Sequence, residues 1–127
     1  MDIVEAARSF LKVPFRHQGR NRLGLDCLGL VIMSAELAGV ELEDLKGYAR
    51  VPDSDRLRSE CDRQLKKVNM SDMRNGDLLL MVFRTEPQHI AIKTDIGIIH
   101  SHKADGGVVE HRLDDVWLKR IKGVYRL

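Results

Sequence analysis

From Asn75 onward the chain breaks into short apolar runs separated by turn residues, at 78–83, 89–94, 98–103, 108–113 and 121–127. Each run has the length and composition of a β-strand. Two of the gaps between them carry Asp95-Ile96-Gly97 and Asp105-Gly106-Gly107. Gaps that short leave no room for a crossover helix, so neighbouring strands are expected to pair antiparallel as hairpins. Ahead of Asn75 the hydrophobic spacing is helical. Helices first and strands afterwards specify an α+β fold.

The helical half begins with Asp2 and Glu5 at capping-box spacing, followed by Ile3, Ala6, Ala7, Phe10 and Leu11. This predicts a first helix that ends near Pro14. Residues 15–25 form a polar, glycine-punctuated loop, and Asp26 is placed to cap the next helix. Residues 27–38 are apolar almost all round, which fits a central helix covered on several sides and ended by Gly39. Asp53 or Ser54 is expected to cap a third helix reaching about Lys66, in which Leu57, Cys61 and Leu65 recur every four residues. Cys61 therefore reads as structural.

At 127 residues, with 43% hydrophobic and 31% charged, the chain can bury one core, and residues 1–127 are expected to form one domain. A net charge of +2, with only Arg16, His17, Arg20 and Arg22 clustered, argues against a nucleic-acid partner. The N-terminus has neither a basic leader nor an apolar core of signal-peptide type, so folding in the cytoplasm is expected. No apolar run approaches the roughly 20 residues that span a bilayer, so no membrane insertion is expected. In a reducing compartment Cys27 and Cys61 read as independent thiols.

Cys27 opens the central helix, where unsatisfied backbone N–H groups favour thiolate over thiol. Residues two apart on a strand share a face, so His100 and His102 point together. A two-residue or four-residue loop within 94–97 would put His89 on that same face, with His100 opposite Ala91 and diagonal to His89. Such a diagonal pair lies about 7–8 Å apart, near enough for imidazoles to meet. The small Ala91 on that face is expected to let the helix approach, bringing Cys27 to His89. On spacing alone, His100 and His102 serve equally as the residue that orients His89.

Each of these residues also has a plainer reading. Cysteine is among the most buried residue types, and His89 shares its face with Lys93 and so with solvent. A zinc site of Cys27, His89 and His100 or His102 lacks tight ligand spacing and ranks below nucleophilic chemistry. For Asp26 a helix cap outweighs a catalytic role. Arg16, Arg20 and Arg22 suit either carboxylate recognition or a solvated loop. His111, beside Glu110, is expected to be exposed, and Trp117 and Tyr125 to close the core.

In chain order, Val13-Pro14-Phe15-Arg16, Gly19, Leu25-Asp26-Cys27-Leu28-Gly29-Leu30-Val31, Asn75-Gly76-Asp77-Leu78, His89-Ile90-Ala91-Ile92 and Ile98-Ile99-His100-Ser101 span nearly the whole sequence. This series resembles the NlpC family of cell-wall cysteine peptidases. The resemblance implies a reduced papain-like fold, with the nucleophile helix packed on a five- or six-stranded antiparallel sheet. It implies Cys27 as nucleophile, His89 as base and His100 as the orienting residue. Phe15, Arg16, Asp26, Leu28 and His102 are expected to contact substrate, with no metal or cofactor. The implied substrate is an amide of a peptidoglycan stem peptide.

Three positions depart from the family pattern. Phe15 stands where tyrosine is frequent, Leu28 where serine is common, and Asn75 where proline is usual. Leu28, with Arg16-His17-Gln18-Gly19 upstream, is most similar to members encoded in phage and prophage tail modules. That likeness implies tail-tip proteins as partners and action at the bacterial cell wall or periplasm from the virion tail. An assembly module that keeps the fold without catalysis is the competing expectation.

Overall fold

The computed structural model describes residues 1–50, 55–84 and 86–127. In chain order the elements are α1 (Ile3–Arg8), β1 (Arg20–Asn21), β2 (Gly24–Leu25), α2 (Cys27–Leu37), α3 (Arg56–Gln64), β3 (Lys66–Val68), β4 (Leu78–Phe83), β5 (Glu86–Lys93), β6 (Ile98–His102), β7 (Gly107–His111), α4 (Asp115–Leu118) and β8 (Ile121–Arg126). The fold is α+β. Its main sheet has six strands in the order β3-β8-β4-β5-β6-β7, and every pair is antiparallel.

The apolar run of β4 explains its place. Leu78, Leu79, Leu80 and Met81 are buried whichever way they point, as a strand with neighbours on both edges and layers on both faces requires. On one face Leu78, Leu80, Ile90, Ile92, Ile99 and Tyr125 meet Phe10, Leu30, Val31, Leu57 and Cys61. On the other face Leu79, Met81, Ala91, Ile98, Ile121 and Val124 pack with Phe83 and Trp117. Burying a side chain such as Leu30 or Ile92 contributes about 1.5–3 kcal/mol.

Several boundaries differ from the sequence expectation. The Asp2 carboxylate does accept the Glu5 N–H, but α1 ends at Arg8 rather than near Pro14. The chain leaves the helix because Lys12 N–H and Val13 O pair with Val108 O and N–H, an exchange no helix can make. Helix α3 stops at Gln64 because Leu65 is extended and leads into β3, an edge strand the sequence pattern does not announce. The expected cap at Asp53 or Ser54 lies outside the described residues. Ala91 sits in the cluster on the face away from α2, so it does not set the helix's approach.

The approach is set by glycine. A Cβ on Gly29 would stand 2.1 Å from the Gly19 carbonyl oxygen, so the first turn of α2 lies directly on the hairpin formed by β1 and β2. At the other end Gly39 stops α2 in the left-handed region, at φ 82°.

Candidate active site

Cys27 is the first residue of α2, half-buried and outside any disulfide. The backbone around it is tied to the sheet from both sides. Ser101 on β6 donates its hydroxyl to the Leu25 carbonyl at 2.6 Å, two residues before Cys27. Leu25 N–H donates to Pro14 O at 2.9 Å, and Phe15 N–H donates to Gly106 O at 2.8 Å, at the entry to β7. Helix α2 therefore begins at a fixed height above the strands that carry His100 and His111.

Asp26 caps that helix and does more. One carboxylate oxygen accepts the Gly29 N–H at 2.8 Å and the Arg20 guanidinium at 2.9 Å. The other accepts the Gln18 N–H at 2.8 Å and the Tyr48 hydroxyl. At 3% exposure, with four donors, the Asp26 carboxylate is buried and fully engaged. Arg20 continues the network to Asp44 through two bonds of 2.8 and 3.0 Å. Burial and the bond to Asp26 push the Tyr48 hydroxyl above the ordinary tyrosine range, so it remains a donor. Phe15 brings no hydroxyl, yet a tyrosine hydroxyl does stand beside the cap, delivered by Tyr48 from a different segment.

The hairpin between β5 and β6 pairs Ile92 with Ile99 and Lys93 with Ile98, which leaves a four-residue loop of 94–97. Thr94 holds that loop by accepting the N–H groups of Ile96 and Gly97 on its side-chain oxygen. This is one of the loop lengths that puts His89, His100 and His102 on one face. His89 Nε2 and His100 Nδ1 are 2.6 Å apart, and both residues are fully buried. His102 instead stacks on His100, with centroids 5.0 Å apart and planes 12° from parallel, while its Nδ1 lies 2.8 Å from Asp105 Oδ2. Of the two, His100 is thus the one hydrogen-bonded to His89, and His102 is a lateral support.

Sequence reasoning missed the rest of this histidine face. His111 is half-buried rather than simply exposed, and its Nε2 lies 2.9 Å from His100 Nε2. Its Nδ1 lies 2.8 Å from the Arg112 carbonyl. The signal was available, since β7 pairs Ile98 with His111 and so places it diagonal to His100 by the same parity rule. Trp117 packs on the second core cluster, as expected, and also covers this face. Its ring lies 5.0 Å from both His100 and His111, and 5.4 Å from His102. Helix α4, which carries it, is capped by the Asp114 side chain on the Trp117 N–H. Phe83 covers His89 edge-on at 5.4 Å.

Burial, and then the neighbouring His89, His102 and His111, holds His100 far below the ordinary histidine range. It is therefore neutral. His100, His102 and Asp105 bring ligand atoms within 4.8 Å of one another, but both nitrogens of His100 are already engaged by His89 and His111. A metal there would have to dismantle the histidine chain. Of the remaining residues expected to contact substrate, Leu28 and Phe15 are half-buried and Arg16 is exposed, its stem lying over Gly24.

A thiol at a helix start, beside a sheet that presents a hydrogen-bonded histidine pair, is the equipment for acyl transfer through sulfur. A relative from Lysinibacillus sphaericus, dipeptidyl-peptidase 6, is 29% identical over 92 residues, 72% of this chain. The chain spans only 28% of that relative's length. Among solved structures, the NlpC/p60 domain of the peptidoglycan hydrolase SagA shares the fold at a TM-score of 0.69 and 20% identity, covering 98% of this chain and 96% of that domain. RipD from Mycobacterium tuberculosis, a non-catalytic NlpC/p60 domain protein adapted to peptidoglycan binding, shares it at 0.66 and 18%, covering 98% and 94%. The NlpC/P60 family model matches residues 12–126, which contain Cys27 and all four histidines of this face, and the chain belongs to that family.

Proposed function

We propose that this protein is a cysteine peptidase or amidase that hydrolyses an amide bond of peptidoglycan stem peptides. The observation that carries the reading is the bond between His89 and His100 on β5 and β6, the two strands against which α2, opening with Cys27, packs. Because His89 Nε2 is taken by His100, proton exchange with the thiol runs through Nδ1. Nδ1 takes the Cys27 proton as sulfur bonds to the substrate carbonyl carbon. The carbonyl oxygen becomes an oxyanion, stabilised by backbone N–H groups at the start of α2. The C–N bond then breaks as His89 returns the proton to the leaving amine, and water, deprotonated by His89, releases the acyl group from sulfur.

Within that reading, the protein acts as a component of a phage or prophage tail tip, meeting peptidoglycan at the bacterial cell wall during entry. Support comes from Leu28 directly after the cysteine and from Arg16-His17-Gln18-Gly19 upstream, the two features in which the sequence is similar to tail-module members. Substrate specificity is assigned to the surroundings of Phe15, Arg16, Leu28 and His102. Asp26 contributes by holding the helix cap.

The test is turnover of purified muropeptides by the wild-type protein, Cys27→Ala and His89→Ala. Cys27→Ala removes the nucleophile, and loss of base assistance in His89→Ala costs roughly 10²–10⁴-fold, so both variants should be nearly inactive with unchanged circular dichroism. Turnover unaffected by either substitution would sink the assignment. The second reading, a non-catalytic assembly module, is favoured by Phe15 and Leu28. It predicts that the wild-type protein leaves muropeptides uncleaved or nearly so.

A further inference from the structure

We infer that His111 is a positioning residue that sets the direction of the whole histidine chain and so places the lone pair of His89 on the nitrogen that must take the thiol proton. This rests on reading Cys27 and His89 as the reacting pair. The geometry behind it starts at a backbone carbonyl, which can only accept. His111 Nδ1 lies 2.8 Å from the Arg112 carbonyl oxygen, so that nitrogen carries the proton. In the neutral imidazole form, which has one donor and one acceptor, His111 Nε2 then accepts. At 2.9 Å from it, His100 Nε2 must donate, which leaves His100 Nδ1 to accept. His89 Nε2, 2.6 Å away, therefore donates, and the lone pair of His89 falls on Nδ1. One carbonyl thus dictates the tautomer of three rings in succession.

Without that anchor the His89–His100 bond can also form in reverse, with His100 donating from Nδ1. His89 would then carry its proton on Nδ1 and could not receive one from the thiol. Neither His102 nor Trp117 fixes the direction instead. His102 spends its Nδ1 on Asp105 and meets His100 only by stacking, and Trp117 packs against the rings without a hydrogen bond to them among the described residues. The anchor itself is held by close packing. A Cβ on Gly97 would stand 2.2 Å from the His111 carbonyl oxygen and 2.7 Å from Arg112 Cα. The chain around the anchor is therefore pressed onto the β5–β6 turn.

The experiment is two-bond ¹H–¹⁵N spectroscopy of histidine-labelled protein, with the rate of Cys27 alkylation and muropeptide kinetics measured alongside. In the wild type, His111 should be the Nδ1–H tautomer, and His100 and His89 the Nε2–H tautomer. His111→Phe removes the acceptor, so His100 and His89 should become tautomer mixtures. Alkylation and kcat should then fall about tenfold with KM unchanged, a partial form of the roughly 10⁴-fold cost of a catalytic imidazole locked in the wrong tautomer. His111→Gln, whose carbonyl can accept from His100 Nε2, should restore the tautomers and most of the rate. A wild-type His100 found as Nδ1–H, or tautomers unmoved in His111→Phe, overturns the inference even in an active enzyme. The hydrolase reading fails separately, by a wild-type protein that cleaves nothing while its spectra show the expected tautomers.

Discussion

Four donors converge on the buried carboxylate of Asp26, and its removal is costly because two of them, the Arg20 guanidinium and the Gly29 N–H, lose a partner in a largely buried site. A lost helix cap costs about 1 kcal/mol and a broken buried ion pair about 3–5 kcal/mol. Arg20 is partly solvated, so the sum is discounted. Asp26→Ala should lower stability by about 2–4 kcal/mol, read as a drop in the urea midpoint with unchanged slope. A loss under about 0.5 kcal/mol, the range of ordinary surface changes, would mean that Arg20 and Tyr48 find other partners. The two cysteines separate at the same scale. Burial, reinforced by Asp62 and Glu60, pushes the Cys61 thiol up to about 12, so at neutral pH it is protonated as well as covered. Cys27 opens a helix instead. Iodoacetamide at pH 7 should label Cys27 and leave Cys61 untouched, and His89→Ala should slow labelling of Cys27 alone. Equal labelling of the two thiols by mass spectrometry would remove the case for an activated nucleophile.

At the scale of elements, what decides the site is where α2 meets the β1–β2 hairpin. Alanine is the better helix former, by about 1 kcal/mol over glycine. At Gly29, however, the added methyl would meet the Gly19 backbone carbonyl, which cannot swing aside as a side chain can. Overpacking of this kind costs about 1–3 kcal/mol, so Gly29→Ala should be net destabilising and should lower the melting temperature. An unchanged or raised melting temperature would show that the hairpin yields. The same comparison explains what could be read in advance. The order of strands β4 to β8 followed from apolar runs and short Asp-Gly turns, and the helix cap at Asp26 from residue type alone. The shared face of His89, His100 and His102 was legible only once a loop length was fixed, because parity reverses with a single residue. Strand β3, with two exposed lysines among its three residues, carries no hydrophobic pattern, since as an edge strand it is held mainly by its backbone pairing with β8. His111 was given to solvent, and Trp117 to the core alone, because local composition does not reveal that two segments far apart in sequence close over one face. Tyr48 was missed for the same reason, since its bond to Asp26 spans a segment with no regular spacing.

For the molecule as a whole, a buried histidine cluster makes stability depend on pH in a window where carboxylates are silent. Folded His100 stays neutral because burial and the surrounding His89, His102 and His111 oppose its charge, whereas in the unfolded chain it takes a proton near pH 6.5. Below that pH the unfolded state binds more protons than the folded one, so stability falls as pH falls. Each such group contributes a slope of about 1.4 kcal/mol per pH unit. The acidic groups held down by arginine, Glu110 by Arg8 and Thr94, Asp95 by Arg8 and its own backbone N–H, and Glu60 by Arg63 and Gln64, add their own losses only lower, as pH drops below about 4.5. The interval from pH 6.5 to 5 therefore isolates the histidines. Urea unfolding across it should show stability flat above about pH 7 and declining by at least about 1.5–2 kcal/mol by pH 5. His100→Asn should remove about one proton's worth of that slope while leaving the acidic limb below pH 4.5 in place. A wild-type profile flat to pH 5 would mean that the cluster opens and protonates at little cost. The sheet face that carries the proposed chemistry would then be a far softer part of the fold than its packing under Trp117 and Phe83 requires.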